Sequence, residues 1–166
     1  IGRDAMYYNT TGTLNTTVGH SAGKDLTTGD SNTFIGNRSG GNTTTADHNT
    51  AVGRDALFTN TTGTLNTAVG TAAMYYNTTG ANNTAVGKSA LDANTTASNN
   101  TAIGYNAMVS NTTGSENTAM GRLALDANTT GSDNVAIGNA SLSAVTTGPR
   151  NTAVGSSALD ATVSGS

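Results

Sequence analysis

Two histidines, ten carboxylates and seven basic side chains carry most of the reactive chemistry in this 166-residue sequence. His20 and His48 could act as proton carriers or metal ligands, and Asp47 stands beside His48. Asp92, Asp126 and Asp160 could supply the paired carboxylates of acid–base chemistry if two of them met. Tyr7-Tyr8 and Tyr75-Tyr76 could stack on sugar rings or on a partner chain. Asn-Thr-Thr triplets at Asn9, Asn60, Asn77, Asn94, Asn111 and Asn128 fit the N-glycosylation pattern. With no cysteine, disulfides and thiolate metal sites are excluded.

Whether any of these groups meet depends on the period of the chain. Asn66-Thr-Ala-Val-Gly recurs in close copies starting at Asn15, Asn32, Asn49, Asn66, Asn83, Asn100, Asn117, Asn134 and Asn151, one every 17 residues without a slip. Such a period marks a solenoid or array, and stacking brings together only residues in equivalent places. His20 and His48 occupy different places in their copies. The three aspartates share one place, but alternate coils set them about 10 Å apart. Recurring Asp beside Gly, which glycine-rich calcium rolls need, is missing, and the Gly-Arg-Asp of Gly53-Arg54-Asp55 is not the integrin-binding order. No catalytic, cofactor-binding or metal-ligating residue is therefore assigned, no cofactor is expected, and the chain reads as a non-enzyme.

Composition agrees with a thin, ordered array. Hydrophobic residues make up 34% and aromatic residues 4%, against 33 Thr and 21 Asn. That polarity could signal disorder, but only 10% of residues are charged and Pro149 is the single proline. A net charge of −3 with scattered basic residues gives no nucleic-acid patch. No apolar run approaches the ~18 residues of a membrane span.

Within one copy, Asn49-Thr-Ala-Val-Gly reads as a short strand ending at an unvaried glycine. Ala56-Leu57, with Ala73-Met74 and Ala90-Leu91 in equivalent places, reads as a second strand, and Asn60-Thr-Thr-Gly as a turn. Helices are excluded, because glycine and the Asn-Thr-Thr-Gly turns interrupt every copy. The predicted fold is all-β: a parallel β-solenoid or β-roll with one coil per 17-residue repeat. Residues 1–166 form one array of about ten coils, the first and last incomplete and neither capped, a piece of a longer fibre about 48 Å long.

Two inward columns are predicted: Ile1, Val18, Ile35, Val52, Val69, Val86, Ile103, Met120, Ile137 and Val154, facing Met6, Gly23, Gly40, Leu57, Met74, Leu91, Met108, Leu125, Leu142 and Leu159. Residues next to the first column, Ala51, Ala68, Ala85 and their equivalents, then point outward as a row that packs on another chain. Gly23 and Gly40 stand where the second column has bulky residues, and Phe34 is expected to fill the volume they leave.

Asn-Thr-Ala-Val-Gly-x-x-Ala-Leu-x-x-Asn-Thr-Thr-Gly resembles the repeats of bacterial and phage-type fibrous proteins. It is similar to the head repeats of trimeric autotransporter adhesins, whose shorter unit centres on Val-Ala-Ile-Gly. Asn134-Val135-Ala136-Ile137-Gly138 is the nearest match and Asn100-Thr101-Ala102-Ile103-Gly104 follows. This resemblance implies a left-handed roll of three interwound chains on a cell surface or in a virion tail fibre. The expected role is an extracellular fibre or surface adhesin, a rigid rod with a multivalent face. Expected partners are further copies of the chain, as homotrimer or end-to-end filament, and a surface glycan or host receptor. A phage tail or receptor-binding fibre is the alternative. An ice-binding solenoid is third: such a face needs outward Thr at alternate strand positions, whereas Thr67 is followed two residues later by Val69, expected inward.

Overall fold

A computed structural model describes residues 1–161 of the chain. Its strands are β1 (Thr16–Val18), β2 (Thr33–Ile35), β3 (Thr50–Val52), β4 (Thr67–Val69), β5 (Thr84–Val86), β6 (Thr101–Ile103), β7 (Thr118–Met120), β8 (Val135–Ile137) and β9 (Thr152–Val154). They form one parallel sheet in sequence order. Each residue pairs with the one 17 places on, as in Val52↔Val69 and Val69↔Val86. The fold is thus a β-solenoid with eight full turns between β1 and β9. At about 4.8 Å per step, β1 lies roughly 40 Å from β9.

The predicted second strand is replaced by a run of turns. In the coil after Gly53, Asp55 and Leu57 adopt φ of 59° and 52°, and the equivalent residues of the other coils do the same. Alternating left- and right-handed residues break the extended geometry that a strand requires. Their backbone groups still bond from coil to coil: Ala72 N–H donates to Arg54 O at 3.0 Å and Met74 N–H to Ala90 O at 3.0 Å. Sequence patterning registered the burial of Leu57 and missed the dihedrals. β-Branched residues, which the strand places use freely, are absent from these left-handed places.

The predicted inward column is also reversed on the strands. Ala51, Ala68, Ala85 and Ala102 are fully buried, whereas Val18, Ile35, Ile103, Met120 and Ile137 are 38–39% exposed. Size explains the choice. The lumen already holds the Leu57/Met74/Leu91 column, and opposite it only a methyl group fits. Where Phe34 takes the alanine place, the facing residues are Gly23 and Gly40, and a Cβ on either would sit 2.9 or 2.7 Å from the Phe34 ring. Phe34 therefore fills the space of two missing side chains, as the sequence suggested, and in doing so identifies its own column as interior.

The rest of the lumen is polar. Asn32, Asn49, Asn66, Asn83, Asn100, Asn117 and Asn134 are buried, and each Oδ1 accepts the backbone N–H of the next coil's asparagine, as in Asn66 N–H to Asn49 Oδ1 at 3.0 Å. The Nδ2 of Asn66 donates to Gly80 O at 2.8 Å, tying the start of the coil to its far side. A second ladder runs through Asn60, Asn77, Asn94, Asn111 and Asn128, with Asn77 Nδ2 donating to Asn60 Oδ1 at 2.7 Å and to Gly80 O at 3.0 Å. Leu26 and Thr43 stand in the equivalent places before this ladder, and Val145 in the next place after it. Each hydrogen bond is worth about 1 kcal/mol net, and repetition makes the sum large. A coil too narrow for a broad apolar core is held instead by side-chain amides that satisfy one another.

Candidate functional site

The solenoid keeps the candidate chemical groups apart. His20 lies between Arg3 Nη2 at 2.7 Å and Asn37 Nδ2 at 3.2 Å, one coil away on either side. His48 sits exposed on a different edge of the coil. Asp47 turns from its neighbour His48 and accepts the backbone N–H of Asp30 at 2.7 Å. Asp30 repeats the motif one coil earlier, accepting Thr13 N–H and the Thr13 hydroxyl, which hold its carboxyl below the usual range. These aspartates cap turns. Asp92 and Asp126 are each half-buried, and burial raises the pKa of both. Val109 occupies the equivalent place on the coil between them. Among the described residues no three His, Cys, Asp or Glu side chains gather as a metal site requires. Nor is any helix there long and apolar enough to cross a membrane.

The glycosylation reading is overturned for most of its sites. Asn60, Asn77, Asn94, Asn111 and Asn128 are fully buried, with Nδ2 donating inside the lumen. A glycan on that nitrogen would have to open the coil. Asn-Thr-Thr is turn chemistry on the outside only in its threonines. The first, as in Thr78 and Thr95, donates its hydroxyl to the next coil's carbonyl at 2.9 and 3.2 Å. The second, Thr62, Thr79, Thr96 and equivalents, is exposed in every coil.

Two outer surfaces stand out. One is the strand face, where alternation places Thr67 and Val69 on the same outward side and Ala68 inside. Repeated over β1 to β9, it presents a threonine column, broken only by Val135 in β8, beside a Val/Ile/Met column. The outward alanine row expected from sequence does not exist; the apolar stripe is the valine column itself.

The other is a charged, aromatic edge confined to the early coils. Phe58 packs on Tyr75 with ring centroids 5.3 Å apart, and Tyr75 on Tyr76 at 4.7 Å. Arg38 lies 4.8 Å over the Phe58 ring while its Nε bonds Asp55 at 2.7 Å. Tyr8 carries Lys24 at 5.8 Å over its ring. Sequence reasoning picked out the tyrosines but passed over Lys24 and Arg38. The available signal was Gly41, a glycine in a file whose neighbouring coils hold Tyr7, Lys24, Phe58 and Tyr75.

Comparison with protein-family models, with curated proteins and with solved structures gives no match.

Proposed function

We propose that the chain is a non-enzymatic structural segment of an extracellular fibre or surface adhesin, on a cell surface or in a virion tail fibre. The carrying observation is the unbroken 17-residue register from β1 to β9, which the ladder from Asn15 to Asn151 follows coil by coil. Along such a rod the strand-face groups recur at fixed intervals. Length, stiffness and multivalency follow directly.

Association of three chains into a left-handed roll is the finer part of this reading. Its support is the outward stripe Val18, Ile35, Val52, Val69, Val86, Ile103, Met120, Ile137 and Val154, a continuous apolar line along one side of the rod. Burial of a stripe of this length is the common reason a soluble protein carries one. Light scattering tests it: a mass of three chains is expected, and Val69→Lys with Val86→Lys should return the protein to one chain without loss of β-structure. A single-chain mass for the parent protein at micromolar concentration would overturn the trimer.

The strand face also supports a second reading. Thr67 and Val69 both face outward, so the objection to an ice-binding face falls. Hydroxyl and methyl groups stand in two straight columns, about 4.8 Å between rungs, on a rigid sheet. Thermal hysteresis of the chain, abolished by Thr84→Lys, would favour this use of the face over the trimer; its absence in a single-chain preparation would remove it.

A further inference from the structure

We propose that the edge of the rod around Lys24 binds a carboxylated oligosaccharide, with two adjoining hollows as sugar subsites and the Lys24 ammonium as the carboxylate anchor. The first hollow, about 160 Å³, is lined by Lys24, Asp25, Arg38, Gly41, Asn42 and Phe58 among others. It exists because Gly41 interrupts a file of side chains: Lys24 stands one coil before and Phe58 one coil after. The second, about 240 Å³, is lined by Asp4, Tyr7, Tyr8 and Lys24. Lys24 is the residue common to both.

The charges in these hollows are not equivalent. Arg38 is committed to Asp55, at 2.7 Å, and to the face of Phe58. Lys24 makes no ion pair among the described residues; its ammonium has only the Tyr8 ring, at 5.8 Å. It is the cation free to meet an anion. Around it stand Asp25 and Asn42, able to bond hydroxyl groups, and the Tyr7 and Tyr8 rings, 63% and 51% exposed, able to stack on the C–H faces of sugars. From Tyr7 to Gly41 is two coils, about 10 Å, the reach of a short oligosaccharide lying along the rod.

A peptide fits this edge less well. The backbone here is already bonded between and within coils: Asp25 N–H donates to Gly41 O at 3.0 Å, Asn42 N–H to Phe58 O at 3.0 Å and Gly41 N–H to Arg38 O at 3.1 Å. No open strand edge remains for main-chain pairing. Recognition must come from side chains, and the mix of exposed aromatics, hydroxyl-bonding groups and one free cation is the chemistry of an acidic sugar. No residue of the Val/Ile stripe lines either hollow, so the site stands whether or not chains associate through that stripe.

Calorimetric titration of the whole chain with oligogalacturonate, with maltooligosaccharide of equal length and with polyglutamate tests the proposal. Oligogalacturonate should bind, and the neutral sugar and the acidic peptide should bind at least tenfold more weakly. Lys24→Gln should weaken oligogalacturonate roughly tenfold. Gly41→Val, which copies the Val109 coil, should abolish binding by filling the first hollow. Lys88→Gln alters the other lysine that lies over a tyrosine, 5.9 Å from the Tyr105 ring, and should change nothing. Equal binding of the neutral sugar, tighter binding of polyglutamate, full affinity in Lys24→Gln, or no binding of oligogalacturonate by folded protein would each overturn the site. A trimeric mass without sugar binding would refute this inference and leave the fibre reading intact.

Discussion

Asn49 Oδ1 accepts the backbone N–H of Asn66 at 3.0 Å, one coil on, in the middle of an eight-step ladder of the same bond from Asn15 to Asn151. Each asparagine from Asn32 to Asn134 both receives one neighbouring coil and is received by the other. The side chain does the work that inter-strand backbone pairing does in an ordinary sheet, at the point where the chain turns into its strand.

Removal of one rung should be costly. Asn66→Ala leaves the buried N–H of Asn83 without its partner and takes one of two donors from the buried carbonyl of Gly80, which keeps Asn77 Nδ2. An orphaned buried group costs about 1–3 kcal/mol. We expect a loss of ~1–3 kcal/mol in urea unfolding followed by circular dichroism. A loss below 0.5 kcal/mol would show that the ladder contributes little.

Phe34 and Gly40 should behave as a coupled pair. Gly40→Leu alone drives a side chain into the Phe34 ring, while Phe34→Ala alone leaves a cavity. Together they recreate the neighbouring coil, where Ala51 faces Leu57 and Leu57 already holds φ of 52°, close to the 56° of Gly40. Each single variant should lose about 2–4 kcal/mol, and the double variant should recover most of it. Additive losses in a double-mutant cycle would contradict the packing described.

The second ladder can be lengthened. Thr43 sits one coil before Asn60 with its hydroxyl buried and unpartnered, and Asn60 Nδ2 bonds Gly63 O without a rung below. Thr43→Asn offers Asn60 an acceptor and removes the unsatisfied group. A gain of about 1 kcal/mol is expected, read as a rise in urea midpoint at unchanged slope.

Asp92 and Asp126 set a pH dependence. Burial raises both carboxyls above their ordinary value in the folded chain, and Asp126 Oδ1 is buried without a partner. The folded state then binds protons more readily than the unfolded state. Stability from these groups should rise as pH falls through the raised values and level off below the ordinary aspartate value. Asp30, lowered by its bonds to Thr13, works in reverse: its contribution is present above the ordinary value and disappears only in stronger acid. Melting from pH 7 to pH 4 should show rising stability, and Asp92→Asn with Asp126→Asn should flatten the rise. A rise equally steep in the double variant would exclude these carboxyls as its source.

The period, the all-β character and the one-coil-per-repeat stacking follow from sequence alone, because 17-residue spacing without a slip leaves no other way for like residues to meet. The exchange of Phe34 for Gly23 and Gly40 was legible too, since volume must be conserved across a narrow lumen. The faces were not. Hydrophobicity ranks Val69 above Ala68 for burial, yet the space inside a coil that already holds Met74, Asn66 and Asn77 admits only the methyl group. Composition likewise marks asparagine as a surface turn residue, and only the closed coil turns Asn77 inward, where its amide meets Asn60 and Gly80. The hollows beside Lys24 depend on residues 17 apart coming side by side around Gly41, a relation between coils that no single repeat contains. Sequence fixes which residues can be equivalent; the volume enclosed by the coil decides which of them face in.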